Sequence, residues 1–366
     1  MKLVEIFEKV PDFRSKCFVT YLLSEILVIS LCAVLSGADD FEEIAEYAIQ
    51  KKEFLKQFLE LANGVPSHDT FNRVFRNIDT KSFEAVLKGW SKEILDEIES
   101  YQINIDGKVL RGTGKRGKKT AAICIVSAWA SENCLSLGQV KVDKKSNEKT
   151  AIPEIIETVD IEGALVSIDA MGCHSSIANL IIEHKGNYLL ALKKNQKGLY
   201  EEVHDWMKKH KSTMDCFIHT DYVGGRIEKR TTYVTQNLTY IDELADWKKS
   251  KTIIMVEAER SFKNGLEKNT FHTRFYVSSA EERAEYFGWC TRNHWSIENK
   301  CHWYLDLVFN EDRQRIREGN GSENMATLRK MALQTLLKHK GKSSLKKVRK
   351  RVGWNEKFLF QILSEI

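Results

Sequence analysis

Gln102-Ile103-Asn104-Ile105-Asp106 alternates polar and apolar side chains, so it reads as a β-strand with one face set into a core and an aspartate near its end. Two further strand-like runs follow, Ala121 to Ala130 and Cys134 to Val142. Thr150 and Pro153 open a helix to about Val159, since proline fits the first helical turn. A short apolar strand from Ala164 to Ile168 ends at Asp169. A helix over Ser175 to His184 and a strand over Tyr188 to Leu192 complete the unit. The order β-β-β-α-β-α-β predicts an α/β (α+β) fold, a mixed sheet flanked by helices.

That order is the ribonuclease-H-like one. Upstream, residues 1–98 read as a helical domain, a candidate for DNA binding. Ile44, Tyr47, Ala48, Phe54, Leu55, Phe58 and Leu61 recur at helical spacing. Gly64-Val65-Pro66 breaks the pattern, and Ser67 is placed to cap a helix over His68 to Phe75. That helix carries His68, Asn72, Arg73 and Arg76; the pair reads equally as a helix-turn-helix relative or a plain helical hairpin. Downstream, residues 99–366 read as one catalytic domain. Strand signals dominate again over about 203–280, at residues 217–220, 231–234, 253–258 and 273–277. Gly224-Gly225 and Asn264-Gly265 are hairpin signals between them. This predicts an inserted β-rich subdomain. Helices then run from about Glu281 to the end, with breaks at Gly319-Asn320-Gly321 and Gly341 and a basic tail over about 313–366.

The chain has 366 residues, 42% hydrophobic and 29% charged, which excludes disordered and fibrous classes. Eight scattered cysteines, without a C-x-x-C pair, read as reduced thiols of a cytoplasmic protein rather than zinc ligands. The charged N-terminus is not a signal peptide. Val19 to Ala38 holds Glu25 and too short an apolar run to span a bilayer, so a buried helix and no membrane are expected. Net charge is +5, but Arg313 to Arg351 holds thirteen Lys/Arg against Glu318 and Glu323. A second basic patch comprises Lys108, Arg111, Lys115, Arg116, Lys118 and Lys119. Such clustering suits a bound polyanion, or simply solvated faces.

Asp106 and Asp169 each stand where an apolar strand leaves the sheet, the edge at which parallel strands place ligands. Singly, either is an ordinary turn or cap residue. Together, on neighbouring strands ~4.8 Å apart, they could share a cation. The segment Tyr286 to Val308 supplies a third acid. There Cys290, Ile297, Cys301, Tyr304 and Val308 form an apolar stripe, and His294, Glu298, His302 and Asp306 a polar row at spacing four. Three such carboxylates, Asp106, Asp169 and Glu298, could hold two Mg²⁺, or Mn²⁺ in their place, for displacement at a phosphodiester. Trp295 or Trp303 could stack on an unpaired base, or simply pack.

The chain resembles the H-repeat-associated family of insertion-sequence transposases, within the DDE group that carries a β insertion. The matching strings are Pro66-Ser-His-Asp-Thr-Phe71, Ile105-Asp-Gly-Lys108, Lys145-Ser-Asn-Glu148 with Thr150-Ala-Ile-Pro153, and Gly163-Ala-Leu-Val-Ser-Ile-Asp-Ala-Met-Gly172. Tyr188-Leu-Leu-Ala-Leu-Lys193 with Asn195-Gln196, and Gly225-Arg226 with Glu228, follow. The last are Arg292-Asn-His-Trp-Ser-Ile-Glu-Asn299, His302-Trp303, Leu305-Asp306 and Glu311-Asp-Arg313. The resemblance implies the Asp106/Asp169/Glu298 triad, a divalent metal, and DNA (element terminal repeats and target) as partner, with a homodimer forming on it. It implies metal-dependent cleavage and strand transfer in a cytoplasmic, nucleoid-associated protein. The DNA contacts expected are Lys108, Arg111, Lys193, Arg292, His294, Trp295, His302, Arg313 and Arg317. Related cut-and-paste enzymes carry Y-x2-R-x3-E-x6-K around the glutamate; here those slots hold Thr291, His294, Glu298 and Leu305. Whether His294 or Arg292 meets the terminal phosphate stays open.

Three rivals have distinct marks. Gly112 to Lys119 approximates a phosphate-binding loop, which a helix after Lys119 would support. His294, Glu298 and His302 could hold zinc. A retired transposase would bind DNA without cutting it.

Overall fold

The computed structural model describes residues 2–15, 17, 19–95, 102–114, 121–142, 148–223, 225–262 and 269–365. Helices come first: α1 Lys2–Glu8, α2 Leu23–Ser36, α3 Phe41–Gln50, α4 Lys52–Leu55, α5 His68–Asn77 and α6 Thr80–Leu95. α2 is buried on every side from Leu23 to Leu35, and its Glu25 carboxylate accepts the Leu61 amide at 2.8 Å. Among the described residues no helix is long and apolar enough to cross a membrane. Asp40 caps α3 by accepting the Glu43 amide, which pins that helix start. Ser67 stands at the N-cap position of α5, yet its side chain makes no capping bond. α5 buries Phe71, Val74 and Phe75 and leaves His68, Arg73 and Arg76 exposed.

The sheet begins with β1 Gln102–Leu110, β2 Ile123–Ala130 and β3 Leu135–Lys141, an antiparallel meander. α7 Glu148–Thr158 crosses to β4 Leu165–Ile168, and α8 Ser175–Glu183 crosses to β5 Asn187–Leu192, both strands parallel to β1. α7 begins before its expected start, with Pro153 inside it. After α9 Lys197–His210 come β6 Asp215–Val223, β7 Arg226–Thr235, β8 Thr252–Phe262 and β9 Thr270–Ser278. The strand order is β3-β2-β1-β4-β5-β9-β8-β7-β6. The five N-terminal strands have the ribonuclease-H-like arrangement. The four strands of the insertion extend the same sheet, because β9 pairs antiparallel with β5. Gly225 turns β6 into β7 with φ 80°, whereas Asn264-Gly265 lies outside the described residues. β2 follows the glycine-rich stretch where a phosphate-binding loop needs a helix, which removes that rival.

α10 Ala284–His294 continues into a π-helical stretch, Ile297–His302, and then α11 Trp303–Val308. α12 Gly321–Lys338, α13 Leu345–Trp354 and α14 Glu356–Ser364 close the chain. Ile103, Ile105, Val166, Ile168 and Leu190 pack on one sheet face against Ile155, Ile177 and Val203 of α7–α9. On the other face Leu165, Leu189 and Ile254 meet Phe287 and Cys290 of α10. α1–α6 share one apolar core with α12–α14 and with Ile297, Cys301 and Leu305.

Candidate active site

β1 and β4 run in parallel register, with Asn104 opposite Ser167 and Ile105 opposite Ile168. The next residues along are Asp106 and Asp169, so both acids stand at the carboxyl edge of neighbouring strands, where the Asp169 carboxylate also accepts the Met171 amide at 2.9 Å and caps the turn after β4. Alternation sends the isoleucines into the α7–α9 core and leaves the even positions of β1 facing α10–α11. That even row is polar, and its side chains find partners in order along α10 and α11, with the Gln102 Oε1 left unpaired. Gln102 donates to the Cys290 carbonyl at 2.9 Å, and Asn104 to the Asn293 carbonyl at 2.8 Å and Ser296 Oγ at 3.0 Å. Asp106 Oδ2 lies 3.5 Å from His302 Nδ1, and Lys108 Nζ donates to Asp306 at 2.6 Å and to Glu311 at 2.5 Å. A buried polar row of this kind fixes one register of helix on strand, since any slip leaves groups unpaired.

Beneath the aspartates, Ser167 Oγ donates to Asn104 Oδ1 at 2.6 Å and lies 2.8 Å from His294 Nδ1. Burial pushes His294 down to about 4, with Asp169 pulling the other way and the Arg274 guanidinium adding to the depression. His302 is pushed down to about 3 by burial and by the Lys108 and Lys330 charges. Both imidazoles are therefore neutral at pH 7 and add no positive charge beside the acids. Glu298, on the π-helical stretch, is more exposed than its neighbours. Burial raises its carboxyl; Arg274 opposes this and Asp169 adds to it, so Glu298 and Asp169 feel one another's charge. The donor set is all carboxylate oxygen, which suits a hard divalent cation. Among the described residues, however, no three His, Cys, Asp or Glu side chains stand close enough to enclose an ion. Of the trio Asp106, Asp169 and Glu298, the strand register brings the two aspartates to one edge; Glu298 is not gathered with them, though it lies near enough to Asp169 for their charges to interact. The zinc trio is not gathered either: His294 faces Ser167 and His302 faces Asp106.

The other expected contacts divide by availability. Lys108 is enclosed by two acids; burial works against its charge, but Glu311 and Asp306 prevail and raise it. Arg292 pairs with Asp221 of β6 at 2.8 Å. Arg111 is largely exposed, with Asp312 at 3.6 Å, and Arg317 donates to the Gly112 carbonyl at 3.0 Å. Lys193 and Arg313 are exposed. Lys115, Arg116, Lys118 and Lys119 lie outside the described residues. Trp295 is half-exposed beneath the Arg274 guanidinium, 4.7 Å from the ring centre, and Trp303 is exposed. Sequence reasoning missed Arg274, which sits on β9, and the Gln102–Asn104–Ser167 network. The polar half of the β1 alternation was the available signal for the network; for Arg274 there was none.

The Transposase DDE domain family model matches residues 99–335, and the DDE_Tnp_1-associated model matches residues 4–91. The chain is 37% identical to "Putative transposase YncI" of Escherichia coli O157:H7 over 99% of this chain and 94% of that one. It is 36% identical to "H repeat-associated putative transposase YhhI" of Escherichia coli K12, over 99% of this chain and 98% of that one. A solved piggyBac transposase complex with hairpin DNA covers 99% of this chain and 79% of that chain, at 11% identity and a TM-score of 0.42.

Proposed function

The chain belongs to the family of DDE-domain transposases, and from that premise we propose that it cuts DNA at the ends of an insertion sequence and joins those ends to a target. The observation that carries this reading is the parallel register that sets Asp106 beside Asp169, with Glu298 on the helix across from them. Asp106, Asp169 and Glu298 would hold Mg²⁺, with Mn²⁺ as a substitute. Bound there, the cations would lower the pKa of the attacking hydroxyl and stabilise the leaving oxygen.

The chain's own residues supply position and charge. In cleavage a water oxygen bonds to phosphorus while the bond from phosphorus to the 3′ oxygen breaks. The water gives up a proton, and the departing 3′ oxygen takes one up. In joining, that 3′-hydroxyl bonds to a target phosphorus, loses its proton, and displaces the target's own 3′ oxygen. His302, neutral and 3.5 Å from Asp106, borders that carboxylate without cancelling its charge. Ser167 and Asn104 stiffen the strand pair below it. The exposed cations Arg111, Lys193 and Arg313 would meet phosphates and position the strands. The partner is DNA, terminal repeats and target, bound by a homodimer that brings two ends together.

Incubating the full chain with DNA flanking its parent gene and Mg²⁺ or Mn²⁺ tests this. Nicking at the element ends is expected, abolished in Asp106→Ala, Asp169→Ala and Glu298→Ala. Equal nicking by all three variants, or shifted bands without products from the unmodified chain, rejects it.

A further inference from the structure

Of the residues expected to meet the phosphate beside the acids, the fold occupies Lys108 and Arg292 elsewhere. Lys108 lies between Asp306 and Glu311, and Arg292 is tied to Asp221. His294, in the arginine slot of related enzymes, contacts Ser167 and is neutral. The insertion supplies a different residue. On β9, Phe275 pairs with Leu192, the last residue of β5, so Arg274 lies one step past the carboxyl end of that parallel strand. That is the edge at which β1 and β4 present Asp106 and Asp169.

Arg274 is exposed, and among the described residues its polar neighbour is the Tyr276 hydroxyl rather than a carboxylate. Its guanidinium lies over the Trp295 ring, 4.7 Å from the centre, three residues before Glu298. Its charge reaches both Glu298 and His294. A planar fork stacked on an aromatic face, with one donor turned to the Tyr276 hydroxyl and others left over, is preorganised for a tetrahedral oxyanion. Lys193 shares the edge but has neither a platform nor a fixed plane.

We propose that Arg274, carried by the β insertion, contacts the non-bridging oxygens of the DNA phosphate presented to Asp106, Asp169 and Glu298, and that Trp295 is the platform that orients it. This rests on the transposase reading above and adds its substrate-contacting arginine. It also implies that one face of Trp295 is already covered, leaving only the other for a base.

The test uses the full chain as unmodified protein, Arg274→Ala, Arg274→Lys and Trp295→Ala. Nicking rates in Mg²⁺ are read at limiting and saturating DNA, beside melting temperature. For Arg274→Ala we expect nicking at saturating DNA to fall about 10- to 100-fold with the melting temperature unchanged. Arg274→Lys should recover part of the rate, and Trp295→Ala should lose part of it. A binding cycle then uses DNA whose scissile phosphate is replaced by a neutral methylphosphonate. The replacement should weaken binding to the unmodified protein and leave binding to Arg274→Ala unaffected. An equal loss in both proteins overturns the proposal, as does an unchanged nicking rate in Arg274→Ala. If the unmodified protein binds but does not nick, the transposase reading fails on its own, and the binding cycle still decides Arg274.

Discussion

Lys108 and Glu311 show how far a single charge can be misread from its neighbours in the chain. Lys108 stands in a basic patch, which suggests DNA, but its partners Asp306 and Glu311 come 198 and 203 residues later and turn it inward. No local pattern reports such a pairing. Glu311 is 1% exposed, and although burial works to raise it, Lys108 and Arg329 hold its carboxyl below the usual range. Lys108→Met should therefore destabilise the fold by about 3–5 kcal/mol, because it strands a buried carboxylate; Lys108→Met with Glu311→Leu should cost much less. Thermal melting reads both, and a single variant as stable as its parent would refute the account. His302 makes a pH prediction with a definite sign. Its folded value of about 3 lies below the ordinary histidine value, so the unfolded chain takes up a proton that the native protein does not. Stability from this residue is present above about pH 6.5 and declines as pH falls toward 3, by up to about 1.4 kcal/mol per pH unit. Melting between pH 7 and pH 5, without added metal, should show a fall that is shallower in His302→Asn.

β1 and the helix across from it act as a matched pair of rulers. From Gln102 to Lys108 the strand advances roughly 20 Å, and from Cys290 to Asp306 an α-helix rises roughly 24 Å, close enough for each even side chain to find its partner. The small mismatch falls where the helix adopts π geometry, Ile297–His302, which re-aims His302 at Asp106. Deleting the exposed Asn299 should restore an α-helical turn, rotate His302 off Asp106, and reduce nicking by about 100-fold while the protein still folds. Undiminished nicking would show that the π stretch has no bearing on the site. The strand alternation, the spacing of four between His294, Glu298 and His302, and the break at Gly319-Asn320-Gly321 before α12 were all legible, because each is a local periodicity or a backbone requirement. The π stretch was not, since that spacing reads through it unchanged. Nor was the pairing of β9 with β5, which places Arg274: the two strands are joined across a long insertion, and alternation tells a strand its faces but not its neighbour.

Across the whole molecule, charge counted along the chain differs from charge offered to a ligand. Of the thirteen Lys/Arg between Arg313 and Arg351, Arg329, Lys330 and Arg349 are buried. Arg329 holds Gln314 and the Asp39 carbonyl, Lys330 holds Ser127 and Gln139, and Arg349 holds Asp39 and the Val34 and Ala38 carbonyls. These three bind α12 and α13 to the sheet and to the N-terminal helices. Two groups within the exposed remainder stand at different places. Arg313 and Arg315 follow Glu311, in a segment tied to the end of β1 through the Arg317 bond to Gly112. Lys346 and Lys347 lie on α13, which packs on α2, where an added Cβ at Gly353 would come 2.4 Å from the Ser36 carbonyl oxygen. If DNA tracks along the carboxylate edge, only the first group meets phosphates. Replacing Arg313 and Arg315 with Gln should then lower the slope of log affinity against log salt by about two, and weaken binding without regard to DNA sequence. The same replacement at Lys346 and Lys347 should leave that slope where it was. Affinity measured from low to moderate salt separates the two, and the opposite ranking would move the DNA to the α13 side of the molecule, away from Asp106.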